Sequence, residues 1–377
     1  MSFPLVYSLC LTLLFAGYLV VHLYALKGLS TAYEEQRLVT DKKTNISIIV
    51  AARNEENNIG RCLQSLITQD YAGGSYEIII VDDRSTDKTA AIVNNYRARN
   101  PIISLIPLNS VSSDLPPKKN ALDKAIRQSK YDVLAFTDAD CIPSIKWLAS
   151  IAKEFQPEVG VVAGFSPLDQ RFPSKFLARW GDFFLRYLEI KNSVGAAAGI
   201  GLGHAFMCTG RNLAYRKSVF YEVHGYEKIK KSISGDDDLF IQLVQNETAW
   251  KIRYMVDPQS YVSTEPPASL RAFINQRKRH FSAGKYYPMK MKAVFAVIHS
   301  FNAFAFLSLL ISPAIGICIV AGKLVLDGWL FSRGTRLFGE TRLLRSLVPL
   351  EFASVVYNSL IGPLGVLGTF TWKGNKP

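Results

Sequence analysis

The chain has 377 residues, of which 49% are hydrophobic and only 20% charged, and the apolar residues gather at its two ends. Lys and Arg outnumber Asp and Glu by 44 to 31, a formal charge of +13. No RNA- or DNA-reading module is present, so the excess points to phosphate and an anionic membrane face rather than to nucleic acid. Cys10, Cys62, Cys141, Cys208 and Cys318 form no Cys-x-x-Cys pair, which argues against a disulfide framework or zinc site and fits a reducing compartment.

Residues 1–26 carry no formal charge, and Lys27 ends the run. Some 22 helical residues span roughly the 30 Å hydrocarbon core of a bilayer. A cleaved signal peptide usually has a basic start and a shorter apolar core. Here Lys27, Arg37, Lys42 and Lys43 all follow the run. The segment 1–27 therefore reads as a transmembrane helix with the bulk of the chain on the cytoplasmic side.

From Asn45 the pattern alternates strand and helix. Strands are predicted at Ile46–Ala51, Tyr76–Val81, Ile102–Leu108 and Val133–Thr137. The helices between them carry Ile59, Leu63, Leu66 and Ile67, then Ile92, Val93 and Tyr96, then Leu122, Ala125 and Ile126. Repeated strand–helix–strand units predict a mostly parallel sheet with its ligand crevice beyond the carboxyl ends of the strands. Arg53-Asn54-Glu55, Asp82-Asp83 and Asp138-Ala139-Asp140 all fall at those ends. Such acids repel one another without a cation or hydrogen-bond donors. Asp138 and Asp140 are two residues apart, so on an extended chain their side chains point the same way, about 6.5–7 Å apart at Cα. That arrangement suits a hard cation, Mg²⁺ or Mn²⁺, bridging diphosphate oxygens.

Farther on, residues 172–191 mix Phe, Trp, Leu and Tyr with Lys and Arg, which suits an interfacial amphipathic helix or a core-packed one. The Gly199, Gly201, Gly203 run has no phosphate-loop context, and 195–209 reads as a flexible loop on the acceptor side. Residues 293–322 contain no Asp, Glu, Lys or Arg. Some 30 helical residues reach about 45 Å, long for one span. Pro313 divides the stretch into helices near 293–312 and 314–331, the second placing Lys323 and Asp327 as an i,i+4 pair. A further segment runs near 347–368, giving four spans in all, or fewer if the third and fourth lie flat at the interface. Arg333, Arg336, Arg342 and Arg345 lie between the last two.

The segments IIVAARNEENNIGRCLQSL, YEIIIVDDRSTDKT, PPKKNALDKAI and VLAFTDAD occur here in one order and spacing. They resemble family 2 glycosyltransferases of the bacterial membrane-bound type. The resemblance covers roughly residues 45–285 and implies an α/β GT-A nucleotide-sugar-binding domain, flanked by transmembrane helices at 1–27 and 290–377. It also implies a membrane-embedded enzyme with a nucleotide-sugar donor, a lipid-linked or glycan acceptor and a divalent metal.

The resemblance makes Asp140 the direct metal ligand and Asp138 a partner of donor ribose or sugar. Ala52 and Glu55 fall beside base or ribose, with Asn54 left as a possible N-cap. Asp83 is expected to accept from the imide N–H of a base, which favours uracil. Ser85 and Asp87 read as helix caps. Lys118 falls near the nucleotide, whereas Lys119 reads as a solvated charge. In Ser234-Gly235-Asp236-Asp237-Asp238-Leu239, alignment on Asp238-Leu239 puts Asp236 at the catalytic base and Gly235 where the family usually has Glu; a shift of one residue gives Asp237 instead. Gln276 and Arg279 match the family's Gln-x-x-Arg-Trp segment, with Gln276 on the acceptor and Arg279 on the diphosphate. His280 stands in place of the Trp, which weakens the case for a processive polysaccharide synthase. A catalytically silent membrane adaptor is the reading from another class, supported only by the departures at Gly235 and His280.

Overall fold

The computed structural model describes residues 3–37, 43–112, 114–169 and 176–367. Lys42 and the start of the 172–191 segment lie outside them. The chain opens with α1 (Phe3–Arg37), followed by β1 (Ile46–Ala52), α2 (Ile59–Ile67), β2 (Tyr76–Asp83), α3 (Thr89–Arg97), β3 (Ile103–Leu108), α4 (Pro117–Gln128) and β4 (Val133–Asp138). Next come β5 (Cys141–Pro143), α5 (Trp147–Glu154), β6 (Val159–Gly164), α6 (Phe176–Gly201), β7 (Leu213–Arg216) and α7 (Lys217–Glu222). The remainder comprises α8 (Asp238–Glu247), β8 (Lys251–Met255), β9 (Val262–Thr264), α9 (Leu270–Ser282), α10 (Met289–Ile311), α11 (Pro313–Leu337) and α12 (Leu347–Leu367).

Seven strands form one sheet in the order β3-β2-β1-β4-β7-β6-β8. β3, β2, β1 and β4 run parallel, while β7 runs antiparallel to both of its neighbours. The Ile- and Val-rich strands are buried on both faces, as a sheet covered by helices requires. Ile46, Ile48 and Val50 of β1 face Ile59, Cys62, Leu63 and Leu66 of α2. On the other face Ile49, Leu134 and Phe136 pack with α4 and with Tyr187 and Ile190 of α6. The register pairs Ala51 with Asp138 and Ala52 with Asp82. The polar ends of three strands therefore open at one edge.

One sequence expectation is corrected here, and two readings left open are decided. The expected loop 195–209 is helical as far as Gly201, because α6 runs on and packs against α1. Gly201 serves that packing: a Cβ on it would collide with the Gly28 carbonyl of α1, and one on Gly28 with the Ala198 carbonyl, whereas a Cβ on Gly199 would meet Phe206 and the His204 carbonyl. The helix beginning in 172–191 is packed into the core, with Tyr187, Leu188 and Ile190 all buried. Asn54 caps no helix. It sits in the left-handed region at φ 53. There its side chain accepts from Thr86 N (2.8 Å) and its backbone N–H donates to Ser85 Oγ (3.0 Å), tying the β1–α2 turn to the β2–α3 turn. Asp87 accepts from Thr89 N, as a cap does, and from Glu56 N across the same junction.

Among the described residues, three helices are long and apolar enough to cross a membrane: Val6–Arg37, Met289–Ile311 and Pro313–Leu337. The first continues past Lys27 to Arg37 and carries Leu29 and Ala32 into the core of the sheet domain. The expected fourth span forms α12, which does not meet that standard over the described residues. Pro313 does begin α11, and Lys323 and Asp327 are ion-paired and buried.

The α1–α6 contact makes a test. Gly201→Ala should cost about 1–3 kcal/mol through overpacking, whereas Gly181→Ala, where a Cβ meets nothing within 4 Å, should be neutral or slightly stabilising. Thermal unfolding of the two variants in detergent measures the difference. Equal melting temperatures would contradict the packing account.

Candidate active site

The open edge of the sheet leads into a cavity of about 2000 Å³, lined by Ala52, Glu55, Asp83, Lys118, Asp138 and Asp140 on one side. Asp236, Gln276, Arg279 and His280 line it on the other. Each candidate residue read from the sequence thus faces one common space.

Lys118 is the joint of the site. Its ammonium lies 3.0 Å from Asp138 Oδ1 and 3.1 Å from Asp236 Oδ2. Burial works against its charge, but Asp138, Asp236 and Asp237 outweigh burial and hold it above the ordinary lysine range. Reciprocally, burial would raise the Asp138 carboxyl, and the Lys118 charge and hydrogen bond bring it below the ordinary value. Asp140 moves the opposite way: burial raises it first, then the repulsion of Asp138 and Glu55. Two carboxylates two residues apart are thus held in different electrostatic states.

Ligating atoms of Asp138, Asp140 and Cys141 lie within 4.8 Å of one another. The two carboxylates suit a hard cation. Cys141 does not: it is fully buried, and burial, followed by the repulsion of Asp140 and Asp138, holds its thiol well above the usual range. The donor set fits Mg²⁺ or Mn²⁺ on Asp138 and Asp140, with the carboxylate excess around Asp140 as the observation that favours a cation there.

Lys119 is a correction. Instead of being solvated it is fully buried, and its ammonium donates to the carbonyls of Ile229 (3.1 Å), Ser232 (2.5 Å) and Ser234 (2.8 Å). Consecutive lysines on α4 thus do different work. Lys118 bridges two carboxylates, and Lys119 fastens the segment that presents Asp236.

The acidic run divides in the same manner. Asp237 caps α8, accepting from Asp238 N (2.8 Å) and Gly210 N (2.9 Å). Asp238 accepts from Cys208 N (2.9 Å) and the Tyr287 hydroxyl (2.8 Å). Asp236 pairs instead with Lys118 and faces the cavity. Gly235 lies at φ +82, where a Cβ would run into Leu239. This backbone has no room for the glutamate the family usually carries.

Other expected contacts take a different form. Asp83 is held by Arg84, with Nε at 2.8 Å, and by Arg53 at 3.7 Å. Arg279 lies on the cavity wall with Nη2 3.4 Å from His280 Nε2. One group went unnoticed in the sequence. Glu189 of α6 holds Arg211 (3.0 Å) and Arg277 of α9 (2.7 Å). Burial would raise the Glu189 carboxyl, and Arg277 and Arg211 bring it below its ordinary value. Arg211 in turn feels Asp138 and Asp140, so it adds positive charge beside the candidate metal site. Arg211 stands in Thr209-Gly210-Arg211-Asn212, beside the buried Asn212 that accepts from Trp147 Nε1 at 2.9 Å.

Glu189→Gln should destabilise the protein by roughly 2–4 kcal/mol, because two arginines lose their counter-charge. Chemical denaturation in detergent reads this, and an unchanged midpoint would show that the pairs contribute nothing.

The comparisons with known proteins agree with this geometry. Residues 47–223 match the family described as Glycosyl transferase family 2. A beta-monoglucosyldiacylglycerol synthase of Synechocystis sp. is 26% identical over 240 residues, 63% of this chain and 47% of its own. An N-acetylglucosaminyltransferase of Sinorhizobium fredii is 27% identical over 290 residues, 70% of this chain and 66% of its own. The chain thus spans only about half the length of the synthase. Among solved structures, the mannosyltransferase PcManGT from Pyrobaculum calidifontis, in complex with GDP-Man and Mn²⁺, superposes with a TM-score of 0.52 at 16% identity. The superposition covers 93% of this chain and 99% of that one, and it supports the α/β GT-A-like fold. Residues 47–223 thus form a family 2 glycosyltransferase domain.

Proposed function

We propose that the protein is an inverting, metal-dependent glycosyltransferase that moves a sugar from a nucleotide-sugar, a UDP-sugar by the reading of Asp83, to a lipid-linked or membrane-proximal acceptor. The observation that carries this is the Lys118 bridge. It brings the strand-end acid Asp138 and the loop acid Asp236 to opposite sides of one ammonium, as donor and acceptor halves of one reaction centre require.

In this reading Ala52, Glu55 and Asp83 receive base and ribose, and Asp138 the ribose or sugar. Asp140, with Asp138 beside it, would hold a divalent ion, which when bound would supply Lewis-acid stabilisation of the departing diphosphate. Lys118, Arg211 and Arg279 add positive charge on the same side. Asp236 takes the proton of the acceptor hydroxyl as that oxygen attacks the anomeric carbon from the face opposite the diphosphate. Asp237 and Asp238 are committed to backbone and tyrosine donors, which favours Asp236 over Asp237 as the base.

A lipid-side acceptor is supported by the cavity itself, which continues from Asp236 to Tyr18 and His22 of α1 and to Asp327 of α11, both membrane-span candidates. The similarity to a beta-monoglucosyldiacylglycerol synthase of Synechocystis sp. agrees with it. Lys27, Arg37 and the arginines at the end of α11 and after it support a cell-membrane location with the GT-A domain on the cytoplasmic side.

The test is UDP release from a panel of UDP-sugars by detergent-solubilised protein with a lipid extract. Asp236→Asn should lose turnover by about 10²–10⁴-fold, the range for a general base, while keeping UDP affinity. Full turnover in that variant would remove Asp236 from the mechanism. Silence of the unaltered protein with every UDP-sugar would overturn the donor class.

A further inference from the structure

Beside the reaction centre lies a second, much smaller chamber of about 10 Å³. Lys118, Thr137, Tyr215, Tyr226 and Asp236 supply most of its polar lining. Lys118 and Asp236 also line the large cavity, so the proposed base borders both spaces.

The polar groups of this chamber do not satisfy one another. Thr137 is buried at the end of β4, and its Oγ1 has no hydrogen-bond partner. The hydroxyls of Tyr215 and Tyr226 lie 3.1 Å apart, and both side chains are buried. Burial first, with the negative charge of Asp236 among the further causes, raises both phenols above their ordinary range, so both keep their protons. One of those protons makes the bond between the two hydroxyls. The structure gives the other no acceptor among the described residues. Leaving buried donors and acceptors unpaired is costly.

These conditions select the occupant. The chamber is close to the least that admits one water, about 10–15 Å³. The Lys118 ammonium disfavours a metal ion there, and Asp138 and Asp236 disfavour an anion. An apolar group would leave Thr137 and the tyrosine proton unpaired. A water can accept from the phenol and donate to a carboxylate, and a threonine hydroxyl can take either role towards it.

We propose that the chamber holds one structural water, which accepts from the Tyr215–Tyr226 pair, bonds Thr137 Oγ1 and donates to the Asp236 carboxylate. The last torsion of an aspartate is broad, so the single contact with Lys118 leaves the carboxylate plane free to turn. A second bond, from the water, fixes that plane towards the acceptor in the large cavity. Thr137, Tyr215 and Tyr226 are thereby positioning residues, which act on the acceptor only through Asp236. This deepens the proposed mechanism and rests on the reading of Asp236 as the base.

The test joins a map of the full-length protein in detergent, at a resolution that shows ordered waters, to the kinetics of Thr137→Val and Thr137→Ser. Density for one water is expected in the chamber. Its absence from a map that resolves other buried waters overturns the proposal and leaves the base reading standing. Valine keeps the shape of threonine without the hydroxyl. Thr137→Val should therefore lower kcat roughly three- to tenfold, the loss of about one hydrogen bond, with donor and acceptor KM unmoved. Thr137→Ser should restore it. UDP binding reports that each variant is folded. An unchanged kcat in folded Thr137→Val, or a loss that serine does not restore, overturns the positioning role. Full turnover in Asp236→Asn would remove the base reading and this role together. If Thr137→Val fails to fold, the map of the unaltered protein decides.

Discussion

The site depends on placing several carboxylates at one sheet edge without letting them push the fold apart. At an effective dielectric near 20, two like charges 4 Å apart cost about 4 kcal/mol. Lys118 relieves this by lying between Asp138 and Asp236, and the Glu189-held Arg211 adds positive potential from the other side. Lys119 makes the arrangement possible by fastening the segment before Asp236 through three carbonyls. Asp236, the proposed base, is thus set by two neighbours on α4, one holding its carboxylate and one holding the segment before it.

The same logic of close approach joins the sheet domain to the membrane helices. Gly28 and Gly201 let α1 and α6 meet backbone to backbone. Glu351 of α12 ties Lys191 of α6 to Lys323 of α11. One continuous cavity then reaches from the strand ends to the apolar helices. A soluble donor and a lipid acceptor need such a shared space if neither is to leave its own phase.

Much of the fold was legible because its signals are local. Short Ile- and Val-rich runs bounded by turns place β1, β2 and β4 to within two residues, and Pro313 marks the start of α11. The acids at the strand ends were readable for the same reason. What escaped depended on partners distant in sequence. Lys119 resembles any charge on a helix until a segment more than 100 residues later supplies its acceptors. Glu189, Arg211 and Arg277 come from different elements, and nothing in spacing alone connects them. Gly201 passed for a loop former because its purpose is contact with another helix, and Asn54 reads as a possible cap because its partners stand on the next turn.

The most direct test of the central claim is calorimetric titration of UDP into the full-length protein, with Mn²⁺ present and then removed by chelation. The account predicts binding that requires the metal and is lost in Asp140→Asn. Equally tight UDP binding without metal, or in that variant, would contradict it.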